Sequence, residues 1–175
     1  MIGVFLMRPN MKNFILLLVF FGLFATVNAA ETVHSIKREG QTELMFKRAN
    51  GDVVKATLIQ RSVTNTYFYK DALIWGGDVG QTPNTILSSI KIQEGGNVIF
   101  LPLSAYSDLG VVHHGSLIPQ KTGFRLELSG GDTGTGYSAI FVFDHGYLRN
   151  RTVRNNEFPD SRVDTTTYKF TEQTN

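Results

Sequence analysis

The fold is decided by residues 124–154, which read FRLELSGGDTGTGYSAIFVFDHGYLRNRTVR. At its start Phe124, Leu126 and Leu128 alternate with polar residues, which is the period of a strand buried on one face. A glycine-rich segment and then Asp-His-Gly separate two further strand-like runs. The stretch therefore predicts three antiparallel strands in a meander. Within it, residues 140–143 are apolar at every position, which predicts a central strand covered on both faces.

Outside this stretch the chain repeats the same pattern. Residues 41–49 and 53–60 flank an Asn-Gly-Asp turn, and residues 86–93 and 97–103 flank Glu-Gly-Gly, so each pair predicts a hairpin. Short strands separated by such turns are typical of sandwiches and barrels. We therefore predict an all-β fold, an antiparallel β-sandwich that is jelly-roll or immunoglobulin-like in general shape.

The residues before this domain form a different kind of segment. Lys12 precedes an apolar run at residues 14–24, and the small residues Val27 and Ala29 follow it. These are the three parts of a secretory signal peptide, with cleavage between Ala29 and Ala30. We predict a signal peptide at residues 1–29, with Met11 as an alternative start, and a single β-sandwich domain at residues 30–175.

The net charge of the chain and the length of its apolar run limit the classes of partner that we expect. The chain has 17 Lys and Arg against 15 Asp and Glu, and Arg8 and Lys12 lie in the leader, so the predicted mature part has 15 of each. A neutral domain predicts no nucleic-acid binding. The apolar run is shorter than the roughly 20 residues that span a bilayer, so we expect no stable membrane anchor after cleavage. The chain has no cysteine, which excludes disulfides and a lipoprotein anchor. We expect export to the periplasm, with an extracellular location as the alternative.

Candidate catalytic and metal-binding motifs are weak. The Asp-Thr-Gly triplet at residues 132–134 matches that of aspartic proteases, but the glycines around it indicate a turn. His113 and His114 are adjacent, so in a strand they point to opposite faces and cannot chelate one metal ion. We predict no catalytic residue, no metal ligand and no cofactor. A hydrolase would require His113, His114 or His145 to meet carboxylates in a cleft.

Arginines and aromatic rings offer two candidate binding surfaces. Strand alternation places Arg149 and Arg151 on one face, where they are either an anion-binding patch or a solvated strand face. Tyr67 and Tyr69 also share a strand face and Trp75 follows, so these rings either form a ligand or partner surface or fill the core.

We expect an exported bacterial binding or protein-interaction module without catalytic activity, whose partner is a protein or a glycan. The alternatives are a carbohydrate-binding sandwich, which needs exposed rings, and a hydrolase.

Overall fold

The computed structural model describes residues 32–64, 74–77, 82–160 and 163–170. The predicted leader, its cleavage site at Ala29 and Ala30, and the rings of Tyr67 and Tyr69 lie outside these ranges. The described chain forms ten strands and a short 3-10 helix at Leu103–Ala105. The strands are β1 His34–Ser35, β2 Gly40–Lys47, β3 Val53–Ser62, β4 Thr85–Glu94, β5 Asn97–Ile99, β6 Val112–Pro119, β7 Gly123–Gly130, β8 Tyr137–Asp144, β9 Tyr147–Asn155 and β10 Val163–Thr167.

The strands form two antiparallel sheets that pack face to face. One sheet has the order β2-β3-β4-β5 and the other the order β1-β6-β7-β8-β9-β10. The predicted antiparallel β-sandwich is therefore confirmed. Apart from β1, each sheet is a meander of consecutive strands, whereas jelly rolls and immunoglobulin domains use Greek-key connections. The likeness to those folds is one of general shape.

The predicted hairpins are present and their turns have the expected backbone. Gly51 has a φ of 93° between β2 and β3, and Asn50 Oδ1 accepts a hydrogen bond from the Asp52 amide at 3.1 Å. Left-handed φ is favourable for glycine and costly for most other residues, which explains the glycine at this point. Strand β5 ends at Ile99, short of the predicted residue 103, because a 3-10 turn begins after Pro102.

The core lies between the two sheets and includes a group of packed phenylalanine rings. The rings of Phe124 and Phe143 stack with centroids 4.6 Å apart, and Phe46 meets Phe124 edge-on at 6.3 Å. Phe141 is fully buried in the same layer. Complete burial of one such side chain contributes about 1.5–3 kcal/mol to the free energy of unfolding. Burial of such side chains stabilises a chain that has no cysteine for disulfides.

Strand β8 differs from the prediction on one face. Phe141 and Phe143 are buried against the other sheet, but Ile140 and Val142 are only half-buried. The prediction of a strand covered on both faces is wrong, because a two-layer sandwich covers only the inner face of each sheet.

Candidate functional site

The last part of the connection from β5 to β6, residues 108–111, is held by hydrogen bonds to other segments. The Trp75 amide donates to the Asp108 carbonyl at 2.7 Å, and the Gly110 amide donates to the Trp75 carbonyl at 2.8 Å. On the other side, the Leu87 amide donates to the Leu109 carbonyl at 2.8 Å. Residues 108–110 are therefore held between the Trp75 segment and β4, much like an additional strand. We call residues 108–112 the pinned connection.

Trp75 is a core residue. It is 3% exposed, and its ring lies 6.2 Å from that of Tyr137, which is fully buried. An aromatic binding surface at residues 67–75 would need an exposed indole, and Trp75 does not supply one. Tyr67 and Tyr69 lie outside the described residues, so their contribution to such a surface stays a prediction.

Val111 has a strained backbone at the end of the pinned connection. Its φ is 51°, in the left-handed region that β-branched residues rarely adopt. Such a conformation costs about 1–3 kcal/mol and persists only where the surroundings fix it. Here the Val111 amide donates to the Thr85 carbonyl at 3.1 Å, and its carbonyl accepts from the Gly131 amide at 3.0 Å.

Gln60 fixes the next residue. The side chain is 2% exposed, and its Oε1 accepts from the Val112 amide at 2.8 Å. Its Nε2 donates to the Val112 carbonyl at 2.8 Å and to the Lys37 carbonyl at 2.9 Å. This amide therefore replaces a partner strand for Val112 and joins β3, β6 and the connection from β1 to β2. A buried amide with all these bonds is stabilising, whereas an unsatisfied one is costly.

A cleft of about 170 Å³ lies at this end of the sandwich. We call it the end cleft. Its lining includes Arg38, Asn84, Thr85, Val111, His113 and Asp132. His113 Nε2 lies 3.9 Å from Asp132 Oδ1, and the two side chains are 49% and 79% exposed. Arg38 is exposed and makes no hydrogen bond or ion pair with any described residue. The end cleft thus has a free guanidinium beside an imidazole.

A second cleft of about 210 Å³ lies on the outer face of the six-stranded sheet. We call it the face cleft. Its polar lining is His114, Ser116, Glu127, Ser129 and Ser138. Ser138 Oγ donates to Asn156 Oδ1 at 2.6 Å. Among the described residues no hydrogen bond joins His114 to Glu127 or to a serine, so the contact between nucleophile and base that serine hydrolases use is not formed here.

The remaining histidine predictions divide. His145 Nδ1 lies 2.8 Å from Asp144 Oδ1, and this contact with His145 lowers the pKa of Asp144. The pair lies in the exposed turn between β8 and β9. His113 therefore meets a carboxylate in a cleft, and His145 meets one outside the two clefts. Within the described ranges no group of three His, Asp or Glu residues could hold a metal ion.

Arg149 and Arg151 do not share a face, contrary to the prediction. Leu148 pairs with Phe143 and Asn150 pairs with Val142, which leaves Arg149 as the extra residue of a β-bulge. A bulge shifts the alternation by one residue. Arg149 consequently lies over the ring of Tyr147, with its Cζ 5.1 Å from the centroid, while Arg151 points into the core.

Arg151 is the centre of a buried charged group. It is 2% exposed, and its Nη2 donates to both carboxylate oxygens of Asp108 at 2.6 Å. Its Nη1 donates to Asp164 Oδ2 at 2.9 Å. We call these three residues the arginine cluster. The cluster connects Asp108, the first residue of the pinned connection, to β9 and β10. Arg151, which the sequence suggested for anion binding, therefore already has two anionic partners.

Burial dominates the electrostatics around this cluster. It raises the pKa of Asp108 above its ordinary value, and the contacts with Arg151 offset this only in part. Burial also raises the pKa of Tyr137 far above its ordinary value, and the Asp108 charge adds to the effect. The Tyr137 hydroxyl donates to the Gly110 carbonyl at 2.9 Å. The phenol is therefore a neutral donor inside the core.

Comparison of the sequence with protein-family models, curated proteins and solved structures finds no match. No helix in the part of the chain that the structure describes is long and apolar enough to cross a membrane. The geometry of the described surface is therefore the basis for a functional proposal.

Proposed function

We propose that this chain is a non-catalytic binding module that docks an extended segment of a partner polypeptide along β5. The observation that carries the proposal is an apolar strip at this edge of the four-stranded sheet. Val98, Phe100 and Leu103 are 61%, 68% and 63% exposed. We call these three residues the β5 strip.

The backbone at this edge is open. Strand β5 is the last strand of its sheet and pairs with β4, and no other described strand lies beside it. Sheet edges in soluble proteins commonly carry charges or proline that discourage pairing with another chain. Strand β5 is short and Pro102 follows it, so it offers few backbone groups, but the side chains that protrude here are large and apolar, which is typical of an interaction site.

The chemistry of an open edge favours a polypeptide over a glycan. Main-chain N–H and C=O groups repeat along a strand with the spacing of another strand, so an added peptide can bond to several in register. Val98 lies in β5 and Phe100 directly follows the strand, and both side chains are exposed, so they can contact side chains of an added strand. A protein partner is accordingly the class we propose, and a glycan partner would depend on Tyr67 and Tyr69.

A hydrolase is the second candidate, because the face cleft places His114 and Glu127 beside three serines. The two candidates are separable with a fluorophosphonate probe, which labels activated serines. We expect no labelling of the purified protein. Labelling that is lost in His114→Ala would favour the hydrolase.

The proposed place of action follows from the predicted leader. A signal peptide at residues 1–29 would deliver the domain to the periplasm, where it would meet exported or envelope proteins. This location is a part of the proposal that cell fractionation tests directly.

The docking proposal is tested by photo-crosslinking in cells. A photoreactive amino acid at position 100 should capture one partner, whereas the same residue at position 163 should not. Val163 is a matched control because it is an exposed apolar residue, 56% exposed, on an edge strand of the other sheet.

Binding of the captured partner is then measured with purified proteins. We expect Phe100→Lys to weaken binding at least about 30-fold, as the loss of a buried aromatic anchor typically does. Val163→Lys should leave the affinity unchanged. Equal affinity of the wild type and Phe100→Lys would overturn the docking site on β5.

A further inference from the structure

We infer that the end cleft binds one oxyanionic group, a carboxylate or a phosphate, with Arg38 as its principal charge partner. A planar guanidinium with several N–H donors matches the oxygens of either group and forms charge-assisted hydrogen bonds with them. The imidazole of His113 and the side-chain amide of Asn84 add further donors at the same cleft.

Arg38 differs from the other arginines of the described chain. Arg48, Arg125 and Arg151 each contact a carboxylate. Arg149 lies over the ring of Tyr147, and Arg61 and Arg154 are exposed; none of these three lines either of the two clefts. Arg38 combines a free guanidinium with a position in a cleft, which is the arrangement that an incoming anion requires.

The size of the cleft limits its occupant. Pockets for cofactors and drug-sized ligands measure about 300–1,000 Å³. The end cleft, at about 170 Å³, is smaller than these. It suits one anionic group and the few atoms that carry it, such as an acidic side chain, a chain terminus or a phosphate ester.

The floor of the cleft is rigid. Val111 holds its left-handed φ of 51° under hydrogen bonds from two segments, and Gln60 holds Val112 on both its amide and its carbonyl. His113 follows directly, so its backbone is fixed before any ligand arrives. Strained residues held in this way concentrate at ligand sites, because a fixed site loses little entropy on binding.

Asp132 is negatively charged and would repel an anion in the end cleft. Its replacement therefore tests the sign of the charge that the cleft binds. Its carboxylate is 79% exposed and lies on the side of His113, 3.9 Å from Nε2. Its charge is therefore largely screened by solvent. If an oxyanion binds, Asp132→Asn should strengthen binding, whereas loss of Arg38 should weaken it.

The purified protein is titrated with sodium acetate and, separately, with inorganic phosphate, both at constant ionic strength. Binding is monitored by the NMR signals of the His113 imidazole and the Asn84 side-chain amide. We expect saturable shifts with one or both anions in the millimolar range. Arg38→Gln should weaken binding at least about tenfold, and Asp132→Asn should tighten it about threefold. Arg154→Gln is the matched control, since this exposed arginine lies outside the cleft, and it should leave the titration unchanged.

Saturation by acetate alone would identify a carboxylate as the natural group, and saturation by phosphate alone would identify a phosphate. Shifts that do not saturate, or that are the same in Arg38→Gln, would overturn the site.

The proposal is independent of the β5 strip. Thr85 lies at one end of β4 and the residues that pair with β5 lie at the other, about 25 Å along the strand. Each site can therefore fail without the other.

Discussion

Gln60 and Arg151 are both 2% exposed, and they hold opposite ends of the same connection, but they do so with different chemistry. Gln60 is neutral and bonds to three backbone groups, two of them on Val112. Arg151 is charged and bonds to the carboxylates of Asp108 and Asp164. A neutral amide can take the place of a strand in full burial. A buried guanidinium needs carboxylates to balance its charge, and the carboxylates of Asp108 and Asp164 both retain contact with water.

The two regions should also differ in how much stability is lost when one of their side chains is truncated. Removing one partner of a buried ion pair leaves an uncompensated charge, which costs more than the unmade bonds of an amide. The arginine cluster should therefore be the more sensitive of the two regions to truncation, and the Gln60 contacts the less sensitive, although both support the pinned connection.

The strongest test of this order is Arg151→Ala. Its loss leaves Asp108 partly buried without a cation, and we expect the free energy of unfolding to fall by about 3–5 kcal/mol. Urea denaturation measures this change. Arg154→Ala on the same strand is the control and should change stability by less than about 0.5 kcal/mol. If Arg151→Ala prevents folding, Arg151→Lys, which keeps the charge, should be measured instead. A cost below about 1 kcal/mol for Arg151→Ala would reverse the comparison.

The next effect is expected from Gln60→Leu. This change keeps the volume but removes the partners of the Val112 amide and carbonyl, and we expect a loss of about 2–3 kcal/mol. Hydrogen exchange at the Val112 amide should accelerate relative to amides in β8. Gln41→Leu is the control, because Gln41 is exposed and its side chain bonds to Glu43. Unchanged exchange at Val112 would show that Gln60 does not hold the connection.

The smallest effect concerns the pH dependence of stability that arises from Tyr137, whose phenol lies between the two regions. Burial raises the pKa of Tyr137, so above about pH 10 the unfolded chain ionises this group while the folded chain does not. The unfolded state then binds fewer protons, and stability falls as pH rises, by about 1.4 kcal/mol at pH 11 from this group. Tyr137→Phe should flatten the decline in urea titrations from pH 9 to 11. An equally steep decline in that variant would assign the effect to other groups.

The hairpins were predictable because their information is local. Alternation over residues 124–128 and the turn at Asn50 and Gly51 each lie within a few positions, and the structure confirms both. Strand β6 was not identified as a strand from the sequence. Gly115 and Pro119 weaken its pattern, and a register shift between Val112 and His114 breaks its alternation.

The two polar regions show why site residues are harder to predict. Gln60 continues the inward series of Val54, Ala56 and Leu58, so strand alternation carried a signal that could have identified it. Arg151 gave no such signal, because the bulge at Arg149 reverses the alternation and its partners are distant in sequence. The end cleft likewise combines four separate segments, and no local pattern describes it.

The order of the strands bears on how the chain reaches this structure. Strands β2 to β5 form one sheet and β6 to β10 form most of the other, so each sheet is built mainly from pairings between sequence neighbours. Chains with such local pairings fold faster than those dominated by distant ones, because less loop entropy is lost before contacts form. The pairing of β1 with β6 and the bonds of the pinned connection are among the distant contacts. We therefore expect the two meanders to form first and to dock along residues 108–112 afterwards, so that the end cleft exists only once the sandwich has closed.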